Sequence, residues 1–277
     1  MIEVIIDTFI DSIKLLPFLF ATFLIIELFE HKFSSKSKKL VEKSGKFGPF
    51  IGSFLGAIPQ CGFGVAATNL YVTRIVSIGT LFAVYLSTSD EMIPILIAEQ
   101  APISLLLKII IIKFVLGMLY GFIIDLFLRK KSKPKYDICD HEHCDCKDNI
   151  FLASLKHTFS IFIFILICTF IIDLVMHYLG SNYLEALLLK NNIFGSFITS
   201  LIGLIPNCAA SVVITELYLK SAITFGALIG GLLTGAGISI LVLFKEASKK
   251  EALKIILGLY IIGSVTGLII ELVMKII

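Results

Sequence analysis

Two short turns carry most of the polar chemistry of this chain. Residues 56–63 read GAIPQCGF and residues 203–210 read GLIPNCAA. Each sets a proline, an amide (Gln60 or Asn207) and a thiol (Cys61 or Cys208) among Gly, Ala, Ile, Leu and Phe. Amides donate and accept hydrogen bonds, and deprotonated thiols are soft metal ligands. A third polar stretch, STSDEMIP at 87–94, adds the hydroxyls of Ser87 and Thr88 and the carboxylates of Asp90 and Glu91. Glu216 is a further carboxylate in an apolar context. Such a set of donors suits a bound ion better than it suits catalysis. A nucleophilic Cys61 or Cys208 would need a neighbouring base. The five histidines, His31, His141, His143, His157 and His177, lie in loops or near helix ends. A membrane-embedded cysteine enzyme is therefore the minor alternative, and the expectation is no enzyme.

The solvent around these turns follows from composition. Of 277 residues, 57% are hydrophobic and only 16% charged, and there is no Trp. Mean hydropathy is +0.96. Continuous apolar runs at 12–30, 75–98, 105–128, 158–179, 222–244 and 253–274 are each long enough to cross a hydrocarbon core of about 30 Å as helix. They do not alternate, so strands are excluded. The expectation is an all-α polytopic protein of the cell membrane, with the lipid bilayer as its principal partner. The first run, preceded by Asp7 and Asp11 and lacking a basic leader, reads as a span and not as a cleaved signal. A net charge of +3 gives no reason to invoke nucleic acid.

The chain is also an internal duplication. At an offset of 147, residues 47–71 align without gaps on 194–218, with 13 identities in 25 positions. The flanks follow with one residue of slippage, FLIIEL (23–28) on TFIIDL (169–174) and GFIIDL (121–126) on GLIIEL (267–272). Two membrane repeats, 1–130 and 151–277, are thus expected, joined by a polar linker at 131–150. Lys and Arg collect in cytoplasmic loops. Residues 31–46 hold six Lys against one Glu, 129–135 hold five basic groups, and 245–254 hold four Lys against two Glu. With these three loops inside, 47–73 must enter and return as a proline-broken hairpin, and 194–219 must do so from the opposite face. The repeats are then inverted, each with three full spans and one hairpin, about ten helical segments in all, and both termini are expected outside.

Broken backbone at membrane depth persists only where protein buries it or where it lines a polar cavity. Paired breaks in inverted halves point to a substrate site near the midplane. The expected substrate contacts are Gln60, Cys61, Ser87, Thr88, Asp90, Glu91, Asn207, Cys208 and Glu216. The halves differ after the hairpins, where TLFAVYLSTSDEMIPIL (80–96) faces ALIGGLLTGAGISILVL (227–243). Both read as locally unwound, at STSD and at TGAG. Only the first carries carboxylates, and an ionisable group inside a span is a functional candidate by default. Asp90 is the expected charged ligand, with Gln60, Asn207, Cys61 and Cys208 around it. Glu27, Asp125, Asp173 and Glu271, close to helix ends, read as interfacial groups.

The linker contains CDHEHCDC at 139–146, a metal-binding composition. Cys139, His141, His143, Cys144 and Cys146 would favour zinc or another borderline ion over magnesium or calcium. Their spacing matches no fixed structural zinc motif, so a flexible collector or sensor is expected.

The paired IPQC and IPNC turns, the STSDEMIP segment, the duplicated halves and the Cys/His linker together resemble the ten-helix heavy-metal exporter family. Its members are also described as manganese transporters or arsenic-efflux-like permeases. The resemblance covers nearly the whole chain and implies export of a metal or metalloid. The resulting expectation is a secondary transporter for a divalent Mn, Zn, Fe or Co ion, driven by protons, with no tightly bound cofactor. No Walker-type phosphate loop is present to support ATP drive. A permease for an anionic or organic solute such as an arsenical is the alternative, with Arg74 and Lys220 at the hairpin exits. A homodimer is the oligomer left open.

Overall fold

A computed structural model of the chain describes residues 47–58, 61–89, 92–128 and 195–276, with isolated helical positions between 17 and 24 and between 151 and 170. Among these residues there is no strand. In the first half, α1 (Gly48–Ala57), α2 (Cys61–Val72), α3 (Ile78–Ser87), α4 (Met92–Ala98) and α5 (Ile103–Leu128) follow one another. In the second, α6 (Gly195–Gly203), α7 (Cys208–Leu219), α8 (Phe225–Thr234), α9 (Ser239–Glu246) and α10 (Lys249–Ile276) repeat the series. This is the all-α architecture of two inverted, hairpin-containing repeats expected from the sequence. Ile103–Leu128, Phe225–Glu246 and Lys249–Ile276 are each long and apolar enough to cross a membrane.

Helix breaks fall where the backbone chemistry demands them. Ile58, the residue before Pro59, is extended at ψ 126°, because the proline ring disfavours helical backbone one residue earlier. The counterpart hairpin breaks before Pro206, after a last tight turn in which the Ile205 amide donates to the Ile202 carbonyl at 2.9 Å. Apolar run 75–98 is likewise divided into α3 and α4, and 222–244 into α8 and α9. At the second division Gly237 takes φ 53°, a left-handed value that glycine adopts without cost.

Both hairpins also close alike. Arg74 (φ 60°) and Ser221 (φ 58°) are left-handed residues just past α2 and α7. The amides of Ile75 and Ala222 reach back 2.8 Å to the carbonyls of Leu70 and Leu217, the usual left-handed helix closure. Glycine is free of the strain a side chain suffers there. Ser221→Gly should accordingly stabilise the protein by about 1 kcal/mol, read as a raised melting midpoint in detergent.

Packing has the same plan in each half: α1, α3 and α5 form one tight triplet and α6, α8 and α10 the other. The central members, α3 and α8, are buried almost along their length. Close approach is possible because the contact faces carry small residues, Gly48, Gly52 and Gly56 on α1 and Gly117 and Gly121 on α5. The outward faces are apolar instead. Leu253, Leu257, Ile261, Val265 and Ile269 of α10 form an exposed stripe at four-residue spacing, which suits contact with lipid tails.

The relative direction of the halves follows from three contacts. The Tyr71 hydroxyl, at the end of α2, donates to Glu251 Oε1 at 2.5 Å, at the start of α10. At the opposite face, Lys108 near the start of α5 lies 4.7 Å from the ring centroid of Phe225, the first residue of α8. Midway, Tyr120 and Thr266 share a 2.7 Å hydrogen bond between α5 and α10. Helices α5 and α10 therefore run in opposite directions, as inversion requires.

Candidate functional site

The site is built from helix ends that meet at mid-depth. Helices α3 and α8 each start at one face with a hydroxyl cap. Ser77 Oγ accepts from the Thr80 amide at 3.1 Å and Thr224 Oγ1 from the Ala227 amide at 3.2 Å. Each cap is completed by a carboxylate from the long helix of its own half. Asp125 accepts from Ser77 Oγ at 2.6 Å and from the Gly79 amide at 2.9 Å. Glu271 accepts from Thr224 Oγ1 at 3.3 Å and pairs with Lys275 at 3.4 Å. Asp125 and Glu271 are 8% and 4% exposed. Both lie at the level of the faces, as expected, but they are buried in protein and satisfy helix amino-termini, where a negative charge is favoured.

With their amino-terminal ends closed at the two faces, α3 and α8 present their carboxyl-terminal ends to each other near the middle. These two helices pack together across the pseudo-symmetry axis. Hairpin arms close over them, α2 against α3 and α9, α7 against α8 and α4. Gly64 of α2 lies so near Ser239 of α9 that an added Cβ would come 3.2 Å from Ser239 Cβ. Thr68 Oγ1 is 2.5 Å from the hydroxyl of the fully buried Tyr85. The Tyr85 hydroxyl reaches the Ser239 carbonyl at 3.3 Å. Each hairpin is thus locked to the helix that follows the other half's break.

Of the residues expected to hold substrate, Ser87 and Thr88 are buried at the end of α3. Ser87 Oγ donates to the Ala83 and Val84 carbonyls at 2.7 and 3.1 Å, and Thr88 Oγ1 to the Val84 carbonyl at 2.8 Å. On α8, Thr234 Oγ1 donates to the Ser200 and Gly231 carbonyls at 2.8 and 2.9 Å. These hydroxyls spend their protons on backbone and retain oxygen lone pairs, so they can accept from or ligate a cation more readily than they can donate to an anion.

Asn207 is half-buried in the second hairpin turn, its backbone N–H donating to the Ile205 carbonyl at 2.7 Å. Cys61 and Cys208 open the returning arms α2 and α7. Glu216 stands apart near the end of α7, 45% exposed and 3.5 Å from Lys220 Nζ. Its repeat partner Asn69 is buried at 3%. Gln60, Asp90 and Glu91 lie outside the described residues, as do Cys139, His141, His143, Cys144 and Cys146 of the linker and the carboxylates Glu27 and Asp173. Among the described residues no three His, Cys, Asp or Glu side chains converge.

Lys113 is the residue that the reading of the sequence missed. It is 1% exposed near the middle of α5. Its ammonium donates to the Thr88 carbonyl at the end of α3 and, at 2.7 Å, to the Leu232 carbonyl in the last turn of α8. One side chain thereby joins the broken ends of both halves. Its signal was a lysine inside the apolar run LLLKIIIIKFVLGML, since a charge within a span is costly and rarely incidental.

A family described as "Putative, 10TM heavy-metal exporter" matches residues 1–182 and 145–276. The chain belongs to this family. Its two overlapping segments between them cover nearly every residue, linker included. Searches of curated proteins and of solved structures gave no match. As a ten-helix exporter-family member, the protein is an integral multi-pass membrane protein, and its family name points to metal as the substrate.

Proposed function

We propose that this exporter-family member moves a divalent transition-metal ion, Mn, Zn, Fe or Co, out of the cytoplasm as a secondary transporter, with protons as the counter-ion. One observation carries the choice of a cation: the carboxyl-terminal ends of α3 and α8 converge on a buried ammonium, so the chain already places a positive charge at its centre. Helix carboxyl-termini bear about half a negative charge each, and the hydroxyls of Ser87, Thr88 and Thr234 give their protons to backbone carbonyls and keep lone pairs to offer a cation. Asp90, Gln60, Asn207 and the two hairpin thiols complete the proposed ligand set, and rocking of one inverted half against the other alternates access. The Cys/His linker acts as a collector outside the membrane path.

The second reading is an anionic or organic solute such as an arsenical, which the Lys113 charge would attract if it stayed in place throughout the cycle. Flux into vesicles separates the two. Purified protein reconstituted in liposomes should give saturable movement of one or more of Mn, Zn, Fe and Co, and none of arsenite. Deleting residues 137–147 should change the maximal rate by no more than about threefold, as a collector that takes no part in the rate-setting step requires. Arsenite flux without metal flux would overturn the cation reading in favour of the solute one.

A further inference from the structure

We propose that Lys113 is a tethered cation, whose ammonium fills in the metal-free carrier a carbonyl site that the transported ion occupies in the loaded one. The inference rests on the transport reading above and adds to it the return half of the cycle. Lys113 lies ten residues into the 26-residue α5, a rise of about 15 Å along the helix, and is 1% exposed. Its two carbonyl partners come from different halves, Thr88 from the cap of α3 and Leu232 from the last turn of α8. The last carbonyls of a helix have no partner within it, so both oxygens need an outside donor or cation.

Both dipoles are fixed with their negative ends inward, because Asp125 and Glu271 close the opposite ends of the same two helices. By the alignment of Gly121 on Gly267, the counterpart of Lys113 is Leu259, which is fully buried. A single ammonium therefore serves two helix ends. Emptying such a site at membrane depth would strand two carbonyls, at a cost that opposes reorientation of the unloaded carrier. Protons do not bind amide carbonyls in the physiological range, so a proton counter-ion cannot fill the place. An ammonium on a flexible four-carbon stem can fill it and can withdraw.

The test compares net efflux with exchange in vesicles, using Mn²⁺ and Zn²⁺ with trapped indicators. In choline medium Lys113→Met should lower net efflux by at least about tenfold while metal–metal exchange stays within about twofold, the difference expected from stranding a buried carbonyl. Ammonium or K⁺ should restore its net efflux. Lys113→Arg, which keeps the charge, should retain net efflux, and the native protein should perform alike in K⁺, Na⁺ and choline. Equal loss of net efflux and exchange in Lys113→Met, with Lys113→Arg equally impaired, would overturn the inference. So would a native carrier that needs K⁺ or Na⁺, an arm that decides the matter even if the Met variant does not fold. A native protein with neither exchange nor net efflux would instead remove the transport reading itself.

Discussion

Asp90→Asn should lower the rate of metal transport by about 100-fold at sub-saturating metal, the factor that corresponds to ~2.7 kcal/mol. Asparagine keeps the size and one oxygen of aspartate but removes the charge, so the loss reports electrostatics and not shape. The chain position is telling. Asp90 follows Thr88 by two residues, and Thr88 is the α3 cap whose carbonyl meets the Lys113 ammonium. A dication that must displace the Lys113 ammonium from its carbonyls gains too little from neutral ligands alone. It needs a formal negative charge, and a charge pair at low dielectric is worth several kcal/mol when one member is removed. Glu216→Gln is the matched control. Glu216 is 45% exposed and paired with Lys220 four residues on, an arrangement worth about 0.4 kcal/mol, so its loss should change the rate by no more than about twofold on that count. Initial rates across a range of metal concentrations check both. A full rate in Asp90→Asn would mean that the charged ligand lies elsewhere.

The duplication makes much of this molecule legible in its sequence. Gapless alignment of 47–71 on 194–218 located both hairpins, and the structure gives them matching left-handed closures at Arg74 and Ser221. Proline and glycine fixed the breaks, because their effect on the backbone is local and independent of tertiary context. The division of α3 from α4 and of α8 from α9 was legible for the same reason. What a helix end meets in space was not. Asp125 and Glu271 share an obvious motif, yet nothing in GFIIDL or GLIIEL says that a hydroxyl-capped helix start lies beside the carboxylate. Lys113 was hidden differently. Averaged hydropathy absorbs a single lysine among eight or more apolar neighbours, and its counterpart Leu259 continues the apolar pattern of the second half. Glu216 shows a different limit: its difference from Asn69 marked it as a candidate, and only the structure places its side chain on an accessible face near a helix end.

Close packing at the helix starts leads to the largest expected effect on folding. Gly79→Ala and Gly226→Ala should each destabilise the protein by about 3 kcal/mol or prevent its assembly, at the upper end of overpacking costs. A Cβ on Gly79 would stand 2.6 Å from the Asp125 carboxyl carbon and collide with the Gly121 carbonyl. On Gly226 it would stand 2.8 Å from Glu271 Cβ and 2.9 Å from the Glu271 amide nitrogen, and would collide with the Gly267 carbonyl. Carbonyl oxygens in helices cannot move aside without displacing the helix, so the clash pushes α3 from α5, or α8 from α10. That displacement also pulls the capping carboxylate away from the amides or hydroxyl it satisfies. Gly195→Ala provides the contrast, since its Cβ would meet Ala227 Cβ at 3.5 Å, an ordinary contact. It should be neutral within about 0.5 kcal/mol, the usual range for a substitution that breaks no contact. Melting midpoints and the yield of monodisperse protein in detergent measure all three. Equal tolerance of alanine at positions 79, 226 and 195 would show that neither helix start is held by the contacts that fix the direction of its dipole, and the central cation site would lose its physical basis.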